Sequence, residues 1–200
     1  MPGKILIATS NKGKIREIKA ILLSIDLEIL TPDSLDCSVD VKETGETYAE
    51  NARLKAEAYL HISGLPVLAD DSGLEVDVLN GAPGLRSARF SPKPNANDLD
   101  RRLYLLEKLQ GQPQPWKAQF HCTAVLLLPS GEKIQTNGDC PGIIIPQMRG
   151  SGGFGYDPIF YLPEYKMTMA ELPSAVKNTI SHRAKALDAM MPSLQKFLTL

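Results

Sequence analysis

Histidine and cysteine are scarce in this chain, with three of each among 200 residues, and no two cysteines form a C-x-x-C. A Cys-rich zinc site and a disulfide framework are therefore not expected, and Cys37, Cys122 and Cys140 suit a reducing cytosol. A surplus of one charge is missing as well. The net charge of −1 argues against a protein that coats nucleic acid or a membrane surface. The apolar stretch of MPGKILIATSN is too short for a signal peptide, and no run approaches a membrane span. There is no internal repeat and no low-complexity tract. The nucleotide loop GxxxxGK[ST] is absent, as are G-x-S-x-G and any Ser/His/Asp or Cys/His arrangement.

What is present is ordinary globular material, 43% hydrophobic and 22% charged, with a core's worth of apolar residues. Strand and helix patterns interleave. KILIA (4–8) reads as a buried strand. Ser10 or Asn11 then caps a helix whose face is Ile15, Ile18, Ile21, Leu22 and Ile25. LEIL (27–30) reads as a second strand. Thr47 to Glu50 has the form of a capping box, opening a helix along Tyr48, Ala52, Ala56 and Tyr59. VLAD (67–70) and LEVDVL (74–79) read as two strands divided by a D-S-G turn. Leucines 99, 103, 106 and 109 mark a helix over 98–109, and GQPQP (111–115) a surface loop. FHCTAVLLL (120–128) and KIQT (133–136) read as a hairpin. A last helix begins near Ser181, with Pro192 ending or kinking it. The class is α/β with a mixed sheet.

Four stretches carry possible chemistry. TSNKGK, Thr9 to Lys14, lies between a strand and a helix. Helix-start N–H groups with Lys12 and Lys14 suit a phosphate, though a plain N-cap with two exposed lysines explains the same residues. GSGGFGYDP, residues 150–158, places four glycines within six positions around Phe154, which suits close approach of a flat or charged ligand; Phe154 or Tyr156 would stack on it. KNTISHR, residues 177–183, clusters Lys177, His182 and Arg183 near a helix start, and reads equally as a surface group. The fourth is acidic: Glu43, Glu46 and Glu50, with Asp70 and Asp71 in LADDSGL. Such carboxylates suit Mg²⁺, which takes one or two of them plus phosphate oxygens. The alternative is an Asp-rich turn. In a regular strand Asp70 and Asp71 face opposite sides, so both serve one site only if the strand ends at Ser72-Gly73. Charge is uneven too. Residues 1–20 hold five cations against Glu17, and residues 26–50 hold eight acids against Lys42.

The order of these pieces is more specific than any one of them. T-x-N-x-x-K (Thr9, Asn11, Lys14), ETGETYAENARLKA, LADDSGLEVDVLNGAPGLRSARF, GFGYDPIF and KNTISHRAKAL together closely resemble the inosine/xanthosine triphosphate pyrophosphatase family over residues 4–190. The resemblance implies a single two-lobed domain over 1–200, with an elongated mixed sheet, flanking helices and a central nucleotide cleft. It implies Mg²⁺-dependent cleavage of ITP, dITP or XTP between the α and β phosphates, with Mn²⁺ as a substitute ion, in a cytoplasmic homodimer that needs neither nucleic acid nor membrane. On matching positions, Thr9, Ser10, Asn11, Lys12, Gly13, Lys14 and Lys55 would hold the triphosphate, and Ser72 would touch substrate. Glu43 and Asp71 would be metal and catalytic carboxylates, with Asp70 a second candidate for the base. Phe154, Gly155, Tyr156, Asp157, Lys177, His182 and Arg183 would form the nucleoside pocket. Residues 169–178 depart from the pattern: Pro173 is present, and the acids often found before Lys177 are missing.

Selectivity would follow from hydrogen bonding. A donor such as Arg183 meets the C6 keto oxygen of hypoxanthine or xanthine and is left unpaired by adenine. Two rivals stay open on sequence grounds: a silent nucleotide or RNA sensor, and a pyrophosphatase for pyrimidine or methylated nucleotides.

Overall fold

A computed structural model describes residues 3–35 and 39–198. Cys37 lies outside the described residues. Seven strands form one sheet in the order β2-β1-β3-β4-β5-β6-β7. They are β1 (Gly3–Ile7), β2 (Leu27–Leu30), β3 (Val67–Val76), β4 (Trp116–Leu127), β5 (Lys133–Ile144), β6 (Phe160–Leu162) and β7 (Met167–Thr168). The sheet is mixed: β1 runs parallel to β2 and to β3, while β6 is antiparallel to β5 and to β7. The helices are α1 (Lys12–Ile21), α2 (Tyr48–Ser63), α3 (Asp98–Leu109), α4 (Ser174–Ile180) and α5 (His182–Leu198). No described helix is long and apolar enough to cross a membrane.

The chain divides into two compact units, one of Met1–Asp71, Cys122–Gly138 and His182–Leu200, the other of Ser72–His121 and Asp139–Ser181. In the first unit, strand alternation builds two cores at once. Leu6, Ala8, Val67, Ala69, Val125 and Leu127 pack with Ala52, Ala56 and Tyr59 of α2. Their strand neighbours Ile5, Ile7, Leu68, Ala124 and Leu126 pack with Ile18 of α1 and Leu187 and Met190 of α5. Each of the fully buried Val, Leu, Ile and Met side chains contributes about 1.5–3 kcal/mol relative to exposure. Apolar side chains on both faces explain why these strands read as unbroken apolar runs. The second unit has its own core, in which Leu74, Leu105, Leu109, Phe120, Phe160 and Ile159 are buried.

Three expectations need correction. The D-S-G stretch is not a turn, because β3 continues from Val67 to Val76. Asp, Ser and Gly favour turns locally, but here each aspartate meets cations on its own face. β5 extends to Ile144 rather than stopping at residue 136. Its glycines look like breakers, yet they admit close neighbours: a Cβ on Gly138 would meet the backbone of His182 and Ala186, and one on Gly142 the ring of Phe160 at 2.6 Å. Of the two outcomes open at Pro192, it does not end the helix but sits inside α5, which runs on to Leu198. A short helix, α4, also precedes α5, where only one helix was expected. The helix over 98–109 and the strand over 27–30 stand where their spacing places them.

Candidate active site

The alternation that builds two cores also separates the two aspartates. Asp70 continues the row of Leu68 toward α1 and α5, while Asp71 continues the row of Ala69 toward α2. Asp70 is 2% exposed. Its Oδ2 accepts from Arg183 Nη2 at 3.1 Å and Nε at 3.3 Å, and Lys14 Nζ stands 2.9 Å away. Arg183, at the start of α5, also donates through Nη1 to Glu17 of α1, so all three guanidinium nitrogens are engaged. Burial alone would raise the Asp70 pKa; the Lys14 and Arg183 cations overcome it and hold the carboxyl well below the usual range. Arg183 is buried too, yet Asp70 and Glu17 keep it firmly charged. Asp70 Oδ1 is buried with no hydrogen-bond partner among the described residues.

On the other face, Asp71 meets α2 and the loop before it. Asn51 Nδ2 donates to Asp71 Oδ2 at 3.2 Å, and Asn51 Oδ1 accepts from the Gly45 N–H at 2.8 Å. That second bond ties the KETGET loop over α2. Lys55, one turn along α2, donates to Glu43 at 2.9 Å and to Asp71 Oδ1 at 3.4 Å. Burial raises the Asp71 pKa, Lys55 and Lys14 lower it in part, and Glu43 raises it again; the net direction is upward. Lys55 has burial working against its charge, but Asp71, Asp70 and Glu43 raise its pKa overall. Adjacent aspartates thus differ in character. Asp70 is a locked anion, and Asp71 takes a proton more readily than a surface carboxylate.

Thr47 caps α2 by accepting from the Glu50 N–H at 3.1 Å, whereas Glu50 reaches back to the N–H of Glu46 rather than to that of Thr47. Asn11 is the cap of α1: its Oδ1 accepts from the N–H groups of Gly13 and Lys14 at 2.8 and 3.2 Å, and Thr9 Oγ1 accepts from the Asn11 N–H at 3.2 Å. Those two helix-start donors are therefore already taken. What faces an anion here is the helix dipole with exposed Ser10 and Lys12 and half-buried Lys14.

Among the described residues, no three His, Cys, Asp or Glu side chains stand together as a metal site. Glu43 and Asp71 nevertheless converge on one cation, the Lys55 ammonium. Two hard oxygen donors fit Mg²⁺ when a triphosphate completes the shell, because that ion takes few protein carboxylates.

The second unit holds the glycine-rich loop. Asp157 Oδ2 accepts from Lys177 Nζ at 2.5 Å and from the Phe154 N–H at 2.8 Å, with Asp157 and Lys177 both buried. The ammonium of Lys177 also lies 5.1 Å from the centroid of the half-buried Phe154 ring. Tyr156 is buried and donates its hydroxyl to Ser87 O at 2.9 Å, so it is fixed in the fold rather than offered as a stacking face. Much of the glycine content is structural: a Cβ on Gly153 would overlap the Asp157 carboxylate, and one on Gly150 would meet the backbone of Ala170 at 2.5 Å. Ser72, half-buried, is the first residue of this unit.

Phe154, Asp157 and Lys177 are thus brought together, and so are Glu43, Lys55 and Asp71. His182 is buried at the start of α5, in the first unit with Arg183. Sequence reasoning missed Asn51 and Glu17. Asn51 stands four residues before Lys55, and Glu17 three after Lys14, so helical spacing from a singled-out lysine would have found both.

The sequence model of the Ham1 family matches residues 5–193. A protein of Desulforamulus reducens named "dITP/XTP pyrophosphatase" is 44% identical, with 96% of each chain covered. One of Listeria innocua, of the same name, is 45% identical over 96% of this chain and 95% of its own. The solved structure of a HAM1 protein from Coxiella burnetii superposes with a TM-score of 0.87 at 38% identity, covering 97% of this chain and 99% of that one.

Proposed function

Because this chain belongs to the Ham1 family, we propose that it hydrolyses non-standard purine nucleoside triphosphates (ITP, dITP and XTP) between the α and β phosphates, releasing the monophosphate and pyrophosphate. The observation that carries this reading is the convergence of Glu43 and Asp71 on a single cation in the unit that also holds Lys14. The names of the relatives support the substrate class.

Glu43 and Asp71 would hold Mg²⁺, which supplies positive charge to the phosphate oxygens. Asp71 is assigned as the proton acceptor for the attacking water, since its carboxylate is not locked between two cations as that of Asp70 is. Asp70 cannot share that task, because the cations around it depress its proton affinity. It holds Lys14 and Arg183 instead. Lys12, Lys14 and Lys55 stabilise negative charge on the phosphates, since positioning and electrostatics dominate such transfers.

The base is assigned to the loop of the second unit, with Phe154 as the stacking face. Arg183, expected to read the C6 keto oxygen, commits its nitrogens to Asp70 and Glu17. Lys177, beside the Phe154 ring, is the better donor: a keto oxygen accepts from it, and the amino group of adenine does not. The cytoplasmic homodimer is part of the same proposal, and light scattering at the mass of one chain would remove the dimer from it.

The direct test is to incubate the protein with ITP, and in parallel ATP, with and without Mg²⁺, and to resolve the products by anion exchange. IMP and pyrophosphate from ITP, only with the metal, is the expected result. IDP and phosphate would overturn the assigned bond.

A further inference from the structure

Packing does not fix the backbone at Gly155. It stands at φ +60°, and nothing lies within 4 Å of where a Cβ would project. One helix takes its polar groups instead. Asp98 Oδ2 accepts from the Gly155 N–H at 2.8 Å, and Arg102 Nη1 donates to the Gly155 carbonyl at 2.6 Å. Four residues apart, these two share one face of α3. Arg101 steadies the pair, with Nη2 at 3.4 Å from Asp98 Oδ1, while its Nη1 donates to the carbonyls of Ala88 and Ala96 at 3.4 and 3.2 Å.

Neither residue is needed to cap α3, which Asn97 and Asp100 close with a reciprocal capping box. The Arg102 Nε is moreover buried with no partner among the described residues, a cost that stability alone does not explain. The two bonds clamp the one residue that lies between Phe154 and Tyr156. Tyr156 is anchored to Ser87 and Asp157 to Lys177. Phe154 is held by Asp157, whose Oδ2 accepts from the Phe154 N–H at 2.8 Å and whose N–H donates to the Phe154 carbonyl at 3.2 Å, and the bonds from α3 fix Gly155, the next link in the frame that carries the ring.

We propose that Asp98 and Arg102 are positioning residues for the nucleobase, clamping Gly155 so that Phe154 is held ready to stack. The inference rests on the nucleotide-hydrolase reading above. It separates the base from the phosphates: loosening the clamp weakens binding of the base and leaves the triphosphate end untouched.

The test compares Asp98→Ala, Arg102→Met and the conservative Asp98→Asn, whose side-chain oxygen still accepts the Gly155 N–H. Three readouts are taken: kcat and KM for ITP, competitive inhibition by inorganic tripolyphosphate, which has no base, and NMR exchange of the Gly155 amide. For Asp98→Ala and Arg102→Met, KM rises on the order of tenfold, the scale of one base–aromatic stack. Their kcat stays within about twofold, the signature of binding lost equally from ground and transition states. Tripolyphosphate inhibition is unchanged, Asp98→Asn behaves as wild type, and the Gly155 amide exchanges faster in Asp98→Ala. An unchanged KM alongside a deprotected Gly155 amide overturns the proposal. So does a parallel loss of ITP and tripolyphosphate affinity, which would make the clamp a general prop. Wild-type protein inert toward ITP is a different failure, which removes the hydrolase reading and this inference with it.

Discussion

Replacing Arg183 by methionine keeps an unbranched apolar stem and removes the cation that Asp70 and Glu17 share. Breaking a buried pair from one side costs about 3–5 kcal/mol, because a charge is left in a poorly solvated place. Lys14 still stands 2.9 Å from Asp70, so the lower end applies. At roughly 2–4 °C per kcal/mol for a chain of this size, about 3 kcal/mol lowers Tm by about 6–12 °C. The deficit has a pH signature. The Asp70 pKa is depressed in the folded wild type, so its stabilisation is present above the unfolded carboxylate value, about 3.9, and fades as pH falls below it. Melts followed by circular dichroism should therefore differ most at pH 7 and begin to draw together only below about pH 3.9. A Tm at pH 7 within about 2 °C of wild type would mean that this network does not hold α5 against β3 and α1.

Two further outcomes follow from the charged groups of the first unit. Lys55→Met removes a cation that lowers the Asp71 pKa, so in metal-free protein the Asp71 carboxyl should titrate at higher pH by NMR; an unmoved titration would mean that Lys55 does not hold it. Burial, with Asp70 beside it, pushes the Cys122 thiol up to about 12, against about 8.5 for a free thiol. Iodoacetamide at pH 9 should spare Cys122 in native protein and label it in urea. A raised pKa also means stability complete below the unfolded value and lost as pH climbs through the folded one, and Cys122→Ala should flatten that alkaline decline.

Much of this fold is written in local spacing. Ile18 of α1 with Leu22 and Ile25 just beyond it, and Ala52, Ala56 and Tyr59 of α2, are buried as their spacing places them. The passages that escape such reading are those where a distant neighbour overrides a local preference. Asp70, Asp71, Ser72 and Gly73 stay in β3 because Arg183, more than a hundred residues away, and Lys14 meet one aspartate, and Lys55 and Asn51 the other. Gly138 stays in β5 because α5 crosses there. For the site, residue types and their order brought Glu43, Lys55, Asp71, Asp157 and Lys177 into view. Pattern alone does not reveal that Arg183 would turn inward, nor that Asp98 and Arg102 would hold a glycine more than fifty residues away.

Asp70 and Asp71 stand side by side with opposite tasks, and one paired measurement tests that division: Tm and kcat for ITP, with Mg²⁺ saturating, in Asp70→Asn and Asp71→Asn. Burial disfavours the charge of Asp71, so Asp71→Asn should melt no lower than wild type while its kcat falls on the order of 10²–10³. Asp70→Asn should lose stability first, since Lys14 and Arg183 lose their shared anion. Near-full kcat in Asp71→Asn, or an Asp70→Asn protein as stable as wild type and equally dead, would contradict the division.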